Sequence, residues 1–368
     1  MNVEYRNLPH GGGKVSTIGI GTGCFQETDP QEVENLFGYA MDSGLNIMDT
    51  VMPDNSAVEP IARALKGNRH KMVIQMHLGA FYPKGTYART RSLPRIQKEF
   101  ENTLKIFETD YADIGFIHYV DASSDFEKVM SGGIFDYARK LKKEGHIRYL
   151  GFSSHSAEIS KRFIDTGEID VFMFSINPTY DFKPSHGKLA LSKERMDLYH
   201  SCEKRGVAIT AMKVYGGGQL LNEKTSPFGK QMTTPQCIQY ALDRPAVISC
   251  LPGFSTIAEF EETLKYYSTN AQERDYSFIG NLPYREMKGV CIYCNHCLPC
   301  PMGIDIGLVN KYLDLYKAGD VLARDHYMKL KKHASDCDEC GVCEKNCPFD
   351  VSIRSRMREA KTRFHATK

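Results

Sequence analysis

Two short stretches near the end of the chain hold eight of its twelve cysteines. The first carries Cys291, Cys294, Cys297 and Cys300, the last followed by Pro301. The second carries Cys337, Cys340, Cys343 and Cys347, the last followed by Pro348. Each is C-x2-C-x2-C with one more cysteine before a proline. Three thiolates at this spacing wrap one cubane corner by corner, and the fourth ligand comes from the other run because the chain turns away after the third. The expected sets are therefore Cys291, Cys294, Cys297 and Cys347 for one [4Fe-4S] cluster, and Cys337, Cys340, Cys343 and Cys300 for another. Structural zinc prefers two separated C-x2-C pairs and fits less well. The first run has two residues before its last cysteine where the second has three, which bears on the pairing and not on the clusters.

Between the runs lie about 36 residues. The stretch 309–316 alternates as an amphipathic helix, so the expectation is an all-α ferredoxin-like domain over 281–368. The four remaining cysteines, Cys24, Cys202, Cys237 and Cys250, are scattered and read as small buried apolar residues. Metal–thiolate chemistry in a reducing cytoplasm accounts for the cysteine content better than disulfides do.

The rest of the chain must position whatever these electrons reach. Its 368 residues suit two domains. A net charge of +2 gives no global field toward nucleic acid or a membrane surface. No run of about 18 apolar residues is present, and the first residues show no export signal. Apolar, β-branched segments near 16–21, 45–49, 72–76, 112–118, 147–152, 169–174, 207–212 and 246–250 alternate with helical patterns such as 30–43, 93–109, 125–144 and 256–268. Eight strand–helix pairs over 1–280 predict an α/β fold, a (β/α)8 TIM barrel. An open doubly wound sheet would want G-x-G-x-x-G after its first strand, and Gly19, Gly21 and Gly23 do not match it.

In order along the chain, Tyr5 to Leu8, Lys14 to Gly23, Asn46 to Thr50, Ile117-His118, Ile147 to Ser153, Ala211 to Lys213 with Gly216 to Gly218, and Leu251 to Ser255 with Glu261 and Glu262 resemble aldo-keto reductases. With the cysteine tail, the whole chain resembles the iron–sulfur subgroup of that family. The resemblance implies carbonyl reduction by NADPH with an Asp, Tyr, Lys and His tetrad. Asp49 and His118 match. The tyrosine position falls on Asp54 and the lysine position on His77. Where the family holds the nicotinamide with a glutamine and an aromatic residue, this chain has Met173 and Ile176. Ser153, Ser154, Asn177, Gly253, Ser255 and Glu261 remain as cofactor-binding candidates.

A carboxylate replaces a phenol as acid only with a strongly raised pKa, and histidine holds no constant charge at neutral pH. Tyr82, Tyr119, Tyr180, Tyr215 and Lys213 are candidate substitutes. The leading expectation is an oxidoreductase passing electrons between the clusters and a small molecule at the barrel mouth. NADPH-dependent reduction through substitute residues, a metal site of Asp49, Asp54, His77 and His118, and an inactive electron-relay barrel stay open beside it. A ferredoxin or flavodoxin-type carrier is the expected partner, with the basic stretches 329–333 and 354–358 as its docking candidates.

Overall fold

The computed structural model describes residues 2–23, 25, 28–51, 55–82, 87–185, 188–254, 256–281, 289–291, 293, 297–317, 323–347 and 349–365. Asp54, His186, Ser255, Cys24 and Cys294 lie outside them.

Eight parallel strands run in sequential order: β1 (Ile20–Gly21), β2 (Ile47–Thr50), β3 (Val73–Leu78), β4 (Ala112–Ile117), β5 (Ile147–Ser154), β6 (Val171–Ser175), β7 (Ala208–Met212) and β8 (Val247–Cys250). The ends of the sheet meet through parallel bridges from Ile18 to Cys250 and from Gly21 to Gly253. Backbone bonds from Gly19 N to Cys250 O (2.8 Å) and from Cys250 N to Thr17 O (2.8 Å) close the ring. Each strand sits where the sequence places one. The exception in detail is 16–21: Lys14–Ser16 pairs antiparallel with Tyr5–Asn7, and only Ile20–Gly21 joins the barrel.

Period-2 alternation sorts the strand side chains. Ile47, Ile114, Phe116, Val171, Met173 and Ala208 fill the barrel interior together with Leu8 and Val15 of the N-terminal hairpin. The opposite faces pack under the helices in the larger core. Asp29 caps the helix Pro30–Asp42, its Oδ1 accepting the N–H groups of Gln31 and Glu32. The helix expected over 125–144 is two, Ser123–Ser131 and Ile134–Glu144. Gly133, at φ 74°, takes the left-handed turn between them.

The described residues after Asn281 contain helices and no strand: Ile306–Lys317, Ala323–Met328, Val342–Lys345 and Ile353–His365. They share a separate core in which Val309, Leu313, Tyr327, Met357 and Phe364 are buried beside Cys291, Cys297 and Cys343. The Tyr327 and Phe364 rings stack with centroids 4.1 Å apart. Among the described residues no helix is long and apolar enough to cross a membrane.

Candidate active site

Barrel chemistry belongs at the C-terminal strand ends, where loops can vary without disturbing the sheet. Asp49 stands near the end of β2, in register with Gln75 of β3. His77 lies two residues further along β3, hence on the same face. His118 follows β4, and its N–H is held by the Leu78 carbonyl at 3.0 Å. All three side chains are buried.

They form one hydrogen-bonded chain. Asp49 Oδ1 lies 2.8 Å from His77 Nε2 and 3.4 Å from Gln75 Nε2. His77 Nδ1 lies 2.9 Å from His118 Nδ1. His118 Nε2 is bonded to the Tyr87 hydroxyl. A carboxylate only accepts, so with Asp49 ionised and both rings neutral one assignment is self-consistent. His77 donates Nε2–H to Asp49 and accepts at Nδ1. His118 donates Nδ1–H and accepts at Nε2, and Tyr87 donates its O–H. Burial, then His77, Arg91, Arg89 and His155, push the His118 pKa well below its usual value.

The depressed His118 pKa makes stability depend on pH. Above the unfolded value of about 6.5 neither state binds the proton. Below it the unfolded chain takes up a proton that the native ring refuses. Stability should therefore fall as pH drops from about 6.5 toward the lower native value, by up to about 1.4 kcal/mol per pH unit. Urea denaturation of the protein and of His118→Gln over that range measures it: the difference between their slopes should approach that figure, and equal slopes would contradict it.

The wall beside the chain is fixed by Arg91. Its guanidinium donates to the carbonyls of His118 (2.9 Å) and Tyr119 (2.8 Å) and pairs with Asp125 at 2.6 Å. Tyr119 has φ 44°, and its N–H is held by Ser153 Oγ at 2.8 Å. Asn177 caps a short turn through Oδ1 and donates from Nδ2 to the Lys213 carbonyl at 2.7 Å. Ser154 Oγ donates to Asp121 at 2.8 Å. Glu261 accepts from Tyr39, and Gly253 is engaged in the bridge that closes the barrel. Ser153, Ser154, Asn177, Gly253 and Glu261, the described candidates for holding the dinucleotide, each have a partner within the protein.

Of the candidate substitute acids, Tyr215 is half-buried and bonds Thr263 at 3.1 Å, and desolvation pushes its pKa up. Tyr180 packs on Phe349, and Tyr119 lies under Arg89. Tyr82 and Lys213 are half-buried. The phenol on the chain is Tyr87, which motif matching did not single out. One signal for it exists. The β3–helix connection runs from 79 to 92, far beyond the usual 2–6 residues, on the face where barrels keep their chemistry. Among the described residues no three His, Cys, Asp or Glu side chains close on one metal ion. The two imidazoles face each other nitrogen to nitrogen instead.

In the C-terminal domain Cys300, Cys337, Cys340 and Cys343 line one cavity, with Gly341, Arg354 and Met357 completing its wall. A first-run cysteine therefore stands with three from the second run. The Glu339 N–H points at Cys337 Sγ, 3.4 Å away. Four thiols around a shared cavity, spread too widely for one ion, suit a cubane. Cys291, Cys297 and Cys347 contribute to the same domain core, while Cys340 is exposed. Gly216, Gly217 and Gly218, at φ 59°, 69° and 89°, turn the loop after β7 so that Gln219 Nε2 reaches the Cys291 carbonyl at 2.5 Å. Tyr87 packs against the same cysteine-bearing core. In the basic stretches Lys332, Arg354, Arg356 and Arg358 pair with Asp336, Glu344, Asp314 and Glu339.

The model of the Aldo/keto reductase family matches residues 17–237. The chain belongs to that family. A 4Fe-4S dicluster domain model matches 290–352. The uncharacterized oxidoreductase YqkF of Bacillus subtilis is 21% identical over 67% of this chain and 86% of its own length. L-galactose dehydrogenase of Arabidopsis thaliana is 22% identical over 71% of this chain and 87% of its own. The holo aldo-keto reductase AKR11C1 of Bacillus halodurans superposes with a TM-score of 0.61 at 19% identity, covering 77% of this chain and 97% of that one. This aldo/keto reductase is therefore an oxidoreductase whose barrel is joined to an iron–sulfur domain.

Proposed function

We propose that this aldo/keto reductase reduces a small carbonyl-type molecule at the barrel mouth with electrons delivered through its C-terminal domain and a proton from its polar chain. The observation that carries the reading is the chain Asp49–His77–His118–Tyr87, whose last member packs on the cysteine-bearing core. Hydride transfer in the family needs a lysine to lower the pKa of a tyrosine. Here that position holds His77, bonded between Asp49 and His118. Proton handling is kept, while the family's nicotinamide-holding glutamine and aromatic residue are replaced by Met173 and Ile176.

The residues for two clusters are Cys291, Cys294, Cys297 and Cys347, and Cys337, Cys340, Cys343 and Cys300. Bound there, [4Fe-4S] clusters supply single electrons at low potential. Reduction of a carbonyl takes two electrons and two protons, one electron from each cluster. The buried Cys291 and Cys297 belong to the run that touches Gln219, and the exposed Cys340 to the other. A cluster held by the exposed Cys340 run would be the one open to a donor, and one held by the Cys291 run would lie against the barrel.

The test uses full-length holoprotein reduced with dithionite and freed of excess reductant. Offered a panel of aldehydes, ketones and quinones without nicotinamide, it should reoxidise its clusters and form the reduced product. Turnover supported by NADPH alone would overturn the reading.

A further inference from the structure

We infer that Tyr87 is the phenol that exchanges a proton with the substrate, and that the chain Asp49–His77–His118 sets the direction of exchange by carrying or lacking one proton. This rests on the reading above for its substrate and its electrons. The polarity of the chain is independent of both.

The family's tyrosine position is Asp54, so a phenol must come from elsewhere if one is used. Tyr87 comes from the long β3 connection, 31 residues before His118, and its hydroxyl meets His118 Nε2. The rings meet edge to face at 5.8 Å, and those of His77 and His118 at 4.9 Å. Tyr87 is half-buried, whereas both imidazoles are buried. Tyr87 also packs against the domain that bears the cysteines.

The chain has two consistent registers. In the unloaded register both rings are neutral and every donor points toward Asp49, so the Tyr87 O–H is given to His118. In the loaded register one extra proton makes His77 doubly protonated against the Asp49 carboxylate. His77 Nδ1–H then donates to His118 Nδ1, and His118 Nε2–H donates to the Tyr87 oxygen. The Tyr87 O–H is released to face the substrate, with its oxygen supported by a donor.

Reduction runs from loaded to unloaded. The Tyr87 O–H bond breaks as the substrate oxygen gains the proton. The phenolate oxygen takes the proton of His118 Nε2, and His118 Nδ1 takes that of His77 Nδ1. Solvent supplies the second proton of the reduction and reloads the chain. The two electrons would come from reduced clusters held by the eight cysteines. Oxidation of an alcohol is the reverse and starts unloaded.

The charges facing the chain set how readily it loads. Arg89 and Arg91 come from the Tyr87 segment and His155 from the end of β5, and all three oppose an added positive charge at His118. Asp125 is paired with Arg91, and Asp121 with His155. Asp49 is the carboxylate bonded to the chain itself, which places the extra proton on His77 rather than on His118.

Ring-15N-histidine NMR of the oxidised full-length holoprotein decides the polarity, with His118→Gln and His77→Gln assigning the signals. At neutral pH His118 should be protonated at Nδ1 and His77 at Nε2. Tyr87→Phe removes the donor to His118 Nε2 and should shift that resonance toward a bare acceptor. A wild-type His118 protonated at Nε2, or a resonance indifferent to Tyr87→Phe, overturns the relay. With a compound that reoxidises the dithionite-reduced protein, Tyr87→Phe should slow turnover by about 10²-fold with cluster spectra unchanged, and should remove the rise in reduction rate at low pH. An unaltered rate overturns the role of Tyr87. If no compound is turned over, the electron-delivery reading falls and the substrate role of Tyr87 with it, while the relay still stands or falls on the NMR.

Discussion

Asp49→Asn should slow nicotinamide-free turnover by about 10³–10⁴-fold while both clusters keep their spectra. The magnitude follows from what a neutral amide does to a chain of imidazoles. In serine proteases, exchanging the orienting carboxylate for an amide leaves the geometry intact and costs about 10⁴ in rate, because the histidine is locked in the wrong tautomer. Here the Asp49 oxygen takes His77 Nε2–H at 2.8 Å, with Gln75 Nε2 at 3.4 Å on the same oxygen. An asparagine that turns its NH2 toward His77 reverses both rings. One that keeps its oxygen there has no charge to balance a doubly protonated His77. Either way the chain can no longer cycle between its two registers. A structural role alone would lower stability and leave the pH profile of the surviving activity in place, so that profile is the diagnostic. A loss under about 10-fold with an unchanged profile would reduce Asp49 to a buried partner of His77.

The fold was legible because its signals are local. Runs such as Val73 to Leu78 and Ala112 to Ile117 declare strands by composition, and Asp29-Pro30 declares a helix start. The misread boundaries have local causes too. At 125–144 the apolar periodicity survives across Gly133, so pattern alone reads through the left-handed turn that splits the helix. At 16–21 the hairpin strand and the barrel strand have similar composition, and only pairing separates them. Asp49, His77 and His118 were legible as strand-end residues at family positions. That they would join in one hydrogen-bonded chain was not, because it depends on the register between β2, β3 and β4. Tyr87 was missed because nothing in its neighbourhood repeats a family motif. A residue brought in by an excursion of the backbone, Ala80–Phe81 out and Ala88–Arg89 back, is placed by tertiary structure.

The same distinction gives the second large effect. Spacing suggested that Cys300 serves the cluster of the second run, and the departure of the first run by one residue weakened that pairing. The structure places Cys300 across the cavity from Cys337, Cys340 and Cys343. Cys300→Ala should therefore remove one cluster and spare the other, with iron falling from about eight to about four atoms per chain. Cys347→Ala should remove the opposite one. Nicotinamide-free turnover should vanish in both, since a two-electron product needs both electrons. Their reduced-state EPR spectra should differ, each keeping the signal the other loses. Barrel melting should be nearly unchanged, because the barrel keeps its own core and meets the cysteine domain at Tyr87, Tyr180 and Gln219. Iron that stays at about eight in Cys300→Ala would show the ligand drawn from the wrong run. A variant with one cluster left and full turnover would show that a single cluster, reduced twice, suffices. The cavity ties these outcomes to one arrangement. If Cys300 completes the exposed cluster, losing it cuts the path at the entry, while the Gln219 contact still holds the Cys291 run against the barrel. The residual protein would then accept electrons slowly and still bind substrate, a split that the loss of Cys347 cannot produce.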